Sequence, residues 1–129
     1  MAAILLRVIA AAGSEEKCKL AMQKGAQFSV NYSQGSLKEA LGKLVGSRGV
    51  DVAIDTVGGD VFLEALRSLA WEGRIVVVGF AGGTIASVPA NLLLLKNISA
   101  MGIFGVRPIP GPELSRLLQG PVLSNSVLP

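Results

Sequence analysis

Between Arg7 and Val106 short runs of β-branched and small apolar residues alternate with segments whose apolar residues recur at helical spacing, and glycine punctuates the joins. Arg7–Ala12 is the first such run, and it stops at Gly13. Ser14 is a good helix N-cap, and Glu15 and Glu16 follow in the first turn, where the helix dipole favours anions. In the helix this predicts, Leu20 and Ala21, assisted by Met22, form the packing face, and Gly25 stands just past its end. Residues 26–31 read as a second strand with Phe28 and Val30 on one face. Ser36 and Glu39 have the spacing of a capping box. Leu37, Ala40, Leu41, Leu44 and Val45 then fall on one stripe, and Gly46 ends the helix. Residues 50–54 are the third strand, closed by Asp55. After the Gly58–Gly59 turn Asp60 is expected to cap a helix lined by Val61, Phe62, Ala65, Leu66 and Leu69 and broken by Gly73. Residues 74–80 are the most strand-like segment. A loop leads to a short helix around 90–96, and residues 98–106 read as a last strand.

Strands that alternate with helices of ten or so residues predict a parallel sheet covered by helices, with right-handed crossovers. Composition agrees. Half of the 129 residues are hydrophobic, yet only six are aromatic, so the apolar content is mostly Val, Ile, Leu and Ala. Strands buried on both faces have that content. The net charge of +3 is spread without a basic run, which argues against a nucleic-acid partner. No histidine is present and Cys18 is the only cysteine. An intrachain disulfide, a Cys/His zinc cluster and a histidine general base are all excluded, and no metal is expected. Cys18 falls within a helical pattern and reads as a small packing residue. Neither the apolar N-terminal run, which Arg7 interrupts, nor Leu92–Leu95 is long enough to span a membrane. The N-terminal run is read as a buried strand rather than a leader peptide.

Composition changes after Val106. Five of the six prolines are Pro108, Pro110, Pro112, Pro121 and Pro129. Residues 1–106 are accordingly read as one α/β domain, and 107–129 as a Pro-rich tail, disordered and without a core of its own.

Three loops follow the carboxyl ends of predicted strands: Gly13–Ser14, Thr56 to Gly59, and Gly79 to Gly83. Open α/β sheets bind ligands outside those ends. Taken singly, each loop is better explained as a tight turn, but three glycine turns on the same edge of one sheet weaken that explanation. In NAD-binding domains an acidic residue near the end of the second strand hydrogen-bonds the ribose 2′-hydroxyl. Here that place holds Gly13 and Ser14, with Lys17 one turn on, so a 2′-phosphate would not be repelled. Spacing alone leaves open whether Ser14 only caps its helix and Lys17 is only solvated.

The segments 13–32, 48–83 and 88–99, in that order, resemble the cofactor domain of the zinc-free quinone oxidoreductases, in the medium-chain dehydrogenase/reductase superfamily. The resemblance spans roughly residues 7–105. It implies a doubly wound Rossmann-type sheet, NADPH as cofactor, and hydride transfer to a small-molecule quinone or enone. By the same resemblance Ser14, Lys17 and Tyr32 would surround the adenosine 2′-phosphate. Val57 and Gly58 would lie along the adenosine, and Gly79, Phe80 and Ala81 near the nicotinamide. No catalytic residue is nominated, and Asp55 and Asp60 read as structural. The family's first strand and its glycine-rich turn do not precede Arg7–Ala12, so the sheet is expected to be incomplete. The chain reads as a fragment, inactive by itself, with a truncated non-catalytic nucleotide-binding module or an unstable product as the alternative. Strands 2 and 4 of the family order would then face an empty slot. Three responses are open to the chain: closing the slot, inserting its own tail or a partner's strand, or staying partly unfolded and self-associating through open edges.

Overall fold

The computed structural model describes residues 6–104 and, as backbone alone, residues 125–128. The fold is α/β. Strands β1 (Arg7–Ala12), β2 (Phe28–Asn31), β3 (Val50–Asp55), β4 (Leu69–Val77), β5 (Ser99–Gly102) and β6 (Asn125–Leu128) alternate with helices α1 (Glu15–Gln23), α2 (Leu37–Val45), α3 (Gly59–Arg67) and α4 (Ala90–Lys96) until β5. They form one six-stranded sheet in the order β2-β1-β6-β3-β4-β5. Every pairing in it is parallel. This is the strand order of a doubly wound Rossmann sheet, with β6 in the central place that the first strand of such folds occupies.

Of the three responses to an incomplete sheet, insertion of the tail is the one the chain makes. β6 pairs with β1 from Arg7↔Asn125 to Ala10↔Leu128, and with β3 at Val52↔Ser126 and Ala53↔Val127. The expectation of a tail outside the core is thus corrected for residues 125–128. The reason is backbone hydrogen bonding: β1 and β3 offer two rows of donors and acceptors that a strand of almost any sequence can satisfy. Residues 107–124, including the helical turn that Pro112 to Gly120 suggests, lie outside the described residues.

Alternation along the strands separates two faces. Ile9, Ala11, Val30, Ala53 and Ile75 point into the main apolar cluster, which α2 and α3 complete with Leu37, Leu41, Phe62 and Leu66. Leu92 and Leu93 of α4 pack against its margin. Ala10, Val52 and Val76 are also buried but stand outside that cluster, on the opposite face. Helix α1 packs over β1 and β2 through Cys18, its one buried residue. Leu20 and Met22, expected to pack, are exposed. The helix is short and meets the sheet along one line, so the residue two positions before Leu20 takes the inner place.

The caps explain where helices start. Ser14 accepts from the Lys17 N–H and Ser36 from the Glu39 N–H. A second acceptor at the α2 start comes from α3, where Glu64 takes the Lys38 N–H at 3.1 Å. The cap of α3 is Gly58 rather than Asp60, which sits inside the first turn. Strand β4 begins at Leu69, five residues before the expected start at Arg74. Ser68 closes α3 by returning its hydroxyl to the Glu64 carbonyl at 2.7 Å. The register then jumps from Val50↔Leu69 to Val52↔Arg74, so Ala70 to Gly73 bulge out of the ladder. Glu72 takes a positive φ of 61° inside this bulge. At the start of β1 the Gln27 side chain behaves like a strand segment. Its carbonyl accepts the Val8 N–H at 2.6 Å and its amide donates to the Leu6 carbonyl at 3.1 Å.

Candidate functional site

All strands run the same way, so the loops after β1, β2, β3 and β4 meet on one edge. Two of them are tied together by backbone bonds. The Ala81 N–H donates to the Thr56 carbonyl at 2.8 Å, Gly82 to Val57 at 2.9 Å, and Gly59 to Thr84 at 3.1 Å. Asp55 anchors the first of these loops from below. It is 2% exposed, and its carboxylate accepts the Val57 N–H at 3.0 Å and the Gly58 N–H at 3.0 and 3.3 Å. It therefore acts as a buried acceptor that shapes the turn. Asp55→Ala would leave those N–H groups unsatisfied. It is expected to cost about 1.5–3 kcal/mol in a denaturant melt, the usual range for a hydrogen bond to a charged group. A cost below about 0.5 kcal/mol would mean that the loop does not depend on the carboxylate.

A cleft of about 690 Å³ runs from this edge down the α1 face of the sheet. It brings together Gly13, Lys17, Tyr32, Val57 and Ala81 from the sequence-derived set, and adds Ala10, Ala12, Lys24, Thr56 and Gly82. The other four stand around it. Ser14 lines a separate hollow on the outer side of α1, and its side-chain oxygen is engaged as the cap. Gly58 is buried beneath the loop after β4: a Cβ there would lie 2.6 Å from the Thr84 carbonyl oxygen and 3.1 Å from Phe80 Cδ1. Gly79 approaches the Thr56 carbonyl, and Phe80 is 43% exposed at the rim. Gly13 is packed on Tyr32: a Cβ at residue 13 would sit 3.4 Å from the phenol oxygen. A Cβ would make ordinary contact with the ring, and a longer side chain would compete with it for space.

The electrostatic character of the cleft is one-sided. Among its described lining residues Lys17 and Lys24 are cationic and none is acidic. Lys24 was missed by sequence reasoning. Its position at the C-cap of α1, seven residues and so two turns beyond Lys17 on the same face, was the available signal. A second hollow of about 550 Å³ opens at the opposite edge, beside Trp71. Its cations are already engaged. Arg48 pairs with Asp51 at 3.1 Å, and Lys96 donates to the Arg67 and Leu69 carbonyls, each at 2.9 Å. Burial, and secondarily the charge of Lys38, hold the Lys96 ammonium below the ordinary lysine range. This lysine closes the carboxyl end of α3, a structural duty.

The sequence profile of the zinc-binding dehydrogenases matches residues 1–120. The chain belongs to that family. The match runs past Val106, beyond the stretch where the resemblance was expected to stop. Over 119 residues the chain is 74% identical to quinone oxidoreductase-like protein 2 of Bos taurus, covering 88% of this chain and 34% of that protein. Over 98 residues it is 82% identical to the protein of the same name from Rattus norvegicus, covering 76% and 28%. The chain thus spans about a third of the length of these relatives. A solved structure of Escherichia coli quinone oxidoreductase complexed with NADPH superposes with a TM-score of 0.68 at 28% identity. That superposition covers 74% of this chain and 30% of the other. The family name refers to zinc, but the donor set here does not fit a zinc site. The sequence has no histidine, and the described residues contain no group of three or more Cys, Asp or Glu placed to hold a metal. No helix among the described residues is long and apolar enough to cross a membrane.

Proposed function

We propose that this chain is the NADPH-holding part of an oxidoreductase that reduces quinones or enones. The observation that carries the proposal is the cleft at the carboxyl edge, lined among the described residues by two lysines and no carboxylate. A dinucleotide with an additional phosphate is a polyanion, and such a lining attracts it without the acid that would select a free ribose hydroxyl. The relatives named quinone oxidoreductase-like and the NADPH-bound structural neighbour point the same way. Lys17 would supply the cation for the phosphate and Tyr32 a phenol hydroxyl beside it. Gly13 leaves the ring room, and the locked loops at Val57 and Ala81 would line the rest of the dinucleotide. Bound NADPH would supply a hydride to the acceptor. The protein's own contribution is to bind and orient the cofactor.

Lys17→Glu is the test. Lys17 is exposed, so its bond to a phosphate belongs at the low end of the usual range, about 1.5 kcal/mol, or roughly tenfold. NADPH affinity is expected to fall at least tenfold, and NADH affinity by less than about twofold. The difference between the cofactors should narrow as salt is raised, because exposed charges are screened. Equal losses for the two cofactors in a fluorescence titration would remove Lys17 from this role.

A further inference from the structure

We infer that Asn125–Leu128 is an exchangeable strand, and that the slot between β1 and β3 takes the same strand from a second copy of this chain. The inference goes beyond cofactor binding. It rests on how β6 is held. The central position of the sheet is filled by the strand that comes last in sequence, paired with β1 at four positions and with β3 at two. Those ladders are backbone bonds, and they are the same whichever copy supplies the strand. The walls of the slot have other supports besides β6. Ile9, Ala10, Val52 and Ala53 are buried in β1 and β3, and both strands are fastened on their far sides, to β2 and β4. An unfilled slot would leave two rows of unpaired donors and acceptors in the middle of the sheet, a template for any parallel strand within reach.

Geometry permits both sources. β6 lies three strand positions from β5, about 14 Å at 4.8 Å each, and a parallel entry requires a return along the strand length. Residues 105–124 connect the two, and at roughly 3.3 Å per residue such a length of chain reaches about 66 Å when extended. That reach is ample for the chain's own slot and for a neighbour's. With identical ladders, the choice between them is a matter of effective concentration, on the order of millimolar for two segments joined within one chain over such a length. A closed monomer is therefore the outcome in dilute solution, and a reciprocal dimer gains ground as the protein is concentrated or refolded from a concentrated state.

Val8 and Ser126 are register partners, which places cysteines at these positions within disulfide range in either arrangement. Isotopically heavy Val8→Cys chains and light Ser126→Cys chains would be mixed, refolded and oxidised at about 10 µM and about 500 µM, below and near that effective concentration. The wild-type chain, carrying only the buried Cys18, serves as the baseline. The expected result is a heavy–light disulfide dimer whose yield rises about tenfold or more between the two concentrations and exceeds both like–like dimers. The chain with both substitutions should close on itself as a monomer at the lower concentration. Failure of that closure would show that β6 does not occupy the slot. Closure without any heavy–light dimer above the baseline at the higher concentration would show that the strand occupies its own slot but does not exchange. Either result overturns the inference.

Discussion

Gly58→Ala is expected to lower stability by about 2–6 kcal/mol, a large share of the roughly 5–15 kcal/mol that holds a domain together. Two costs add. Gly58 has φ 81° and ψ −163°, a region that essentially only glycine occupies, and forcing another residue there costs about 1–3 kcal/mol. The new methyl would also stand 2.6 Å from the Thr84 carbonyl oxygen, and overpacking of this kind typically costs a further 1–3 kcal/mol or so. Gly25→Ala separates the two. Gly25 has φ 114°, but nothing lies within 4 Å of the position its Cβ would take. Its loss should reflect backbone strain alone, and Gly58→Ala should cost at least about twice as much. Equal costs in parallel denaturant melts would mean that the Thr84 segment moves aside freely. The tie between the loops after β3 and β4 would then be loose.

Val127→Pro is the second large effect. Val127 stands between Ile9 of β1 and Ala53 of β3. Proline removes the N–H from a strand with neighbours on both sides and brings a ring against the ladder, at a cost of about 3 kcal/mol or more. For about a hundred ordered residues that corresponds to a midpoint lower by roughly 12 °C or more. A broader transition would accompany it, because among the described strands β1 and β3 are joined through β6. A melting curve superimposable on the wild type would show that the centre of the sheet is held by something other than this strand.

The elements most legible in the sequence are those whose limits are set locally. β1 ends where Gly13 and Ser14 begin the next helix, and both of its limits are as read. The short helix at residues 90–96 is likewise where the spacing put it. The start of β4 was hidden because Leu69, Ala70 and Trp71 carry an apolar pattern that fits a helix end as well as a strand. Only the bulge against Val50 and Val52 decides between them. β6 was harder still. Its four residues have no marked strand character, and its place depends on partners more than seventy positions earlier in the chain. Of the candidate site, glycine turns on one edge could be read directly. That Ala81 joins Gly13 and Lys17 in one cleft depends on bonds between loops, which no local pattern encodes. Ser14 shows the converse, since its sequence context supported a cap and a ligand equally, and its oxygen accepts in the cap while its O–H is still able to donate.

The side-chain amide of Gln27 reaches two backbone groups at the entry to β1, and this has a mechanical meaning for the opposite end of the sheet. A slip of β1 along β2 by one residue would turn every side chain to the wrong face. It would also carry Leu6 and Val8 out of step with the amide that grips them. Gln27 thus works as an indexing pin. Set at one end, it fixes Ala12 beside Asn31 at the other, about 20 Å away over six residues of strand. Gly13 and Tyr32 are the next residues on each side. Their close fit is aligned by a side chain at the far end of the strand pair.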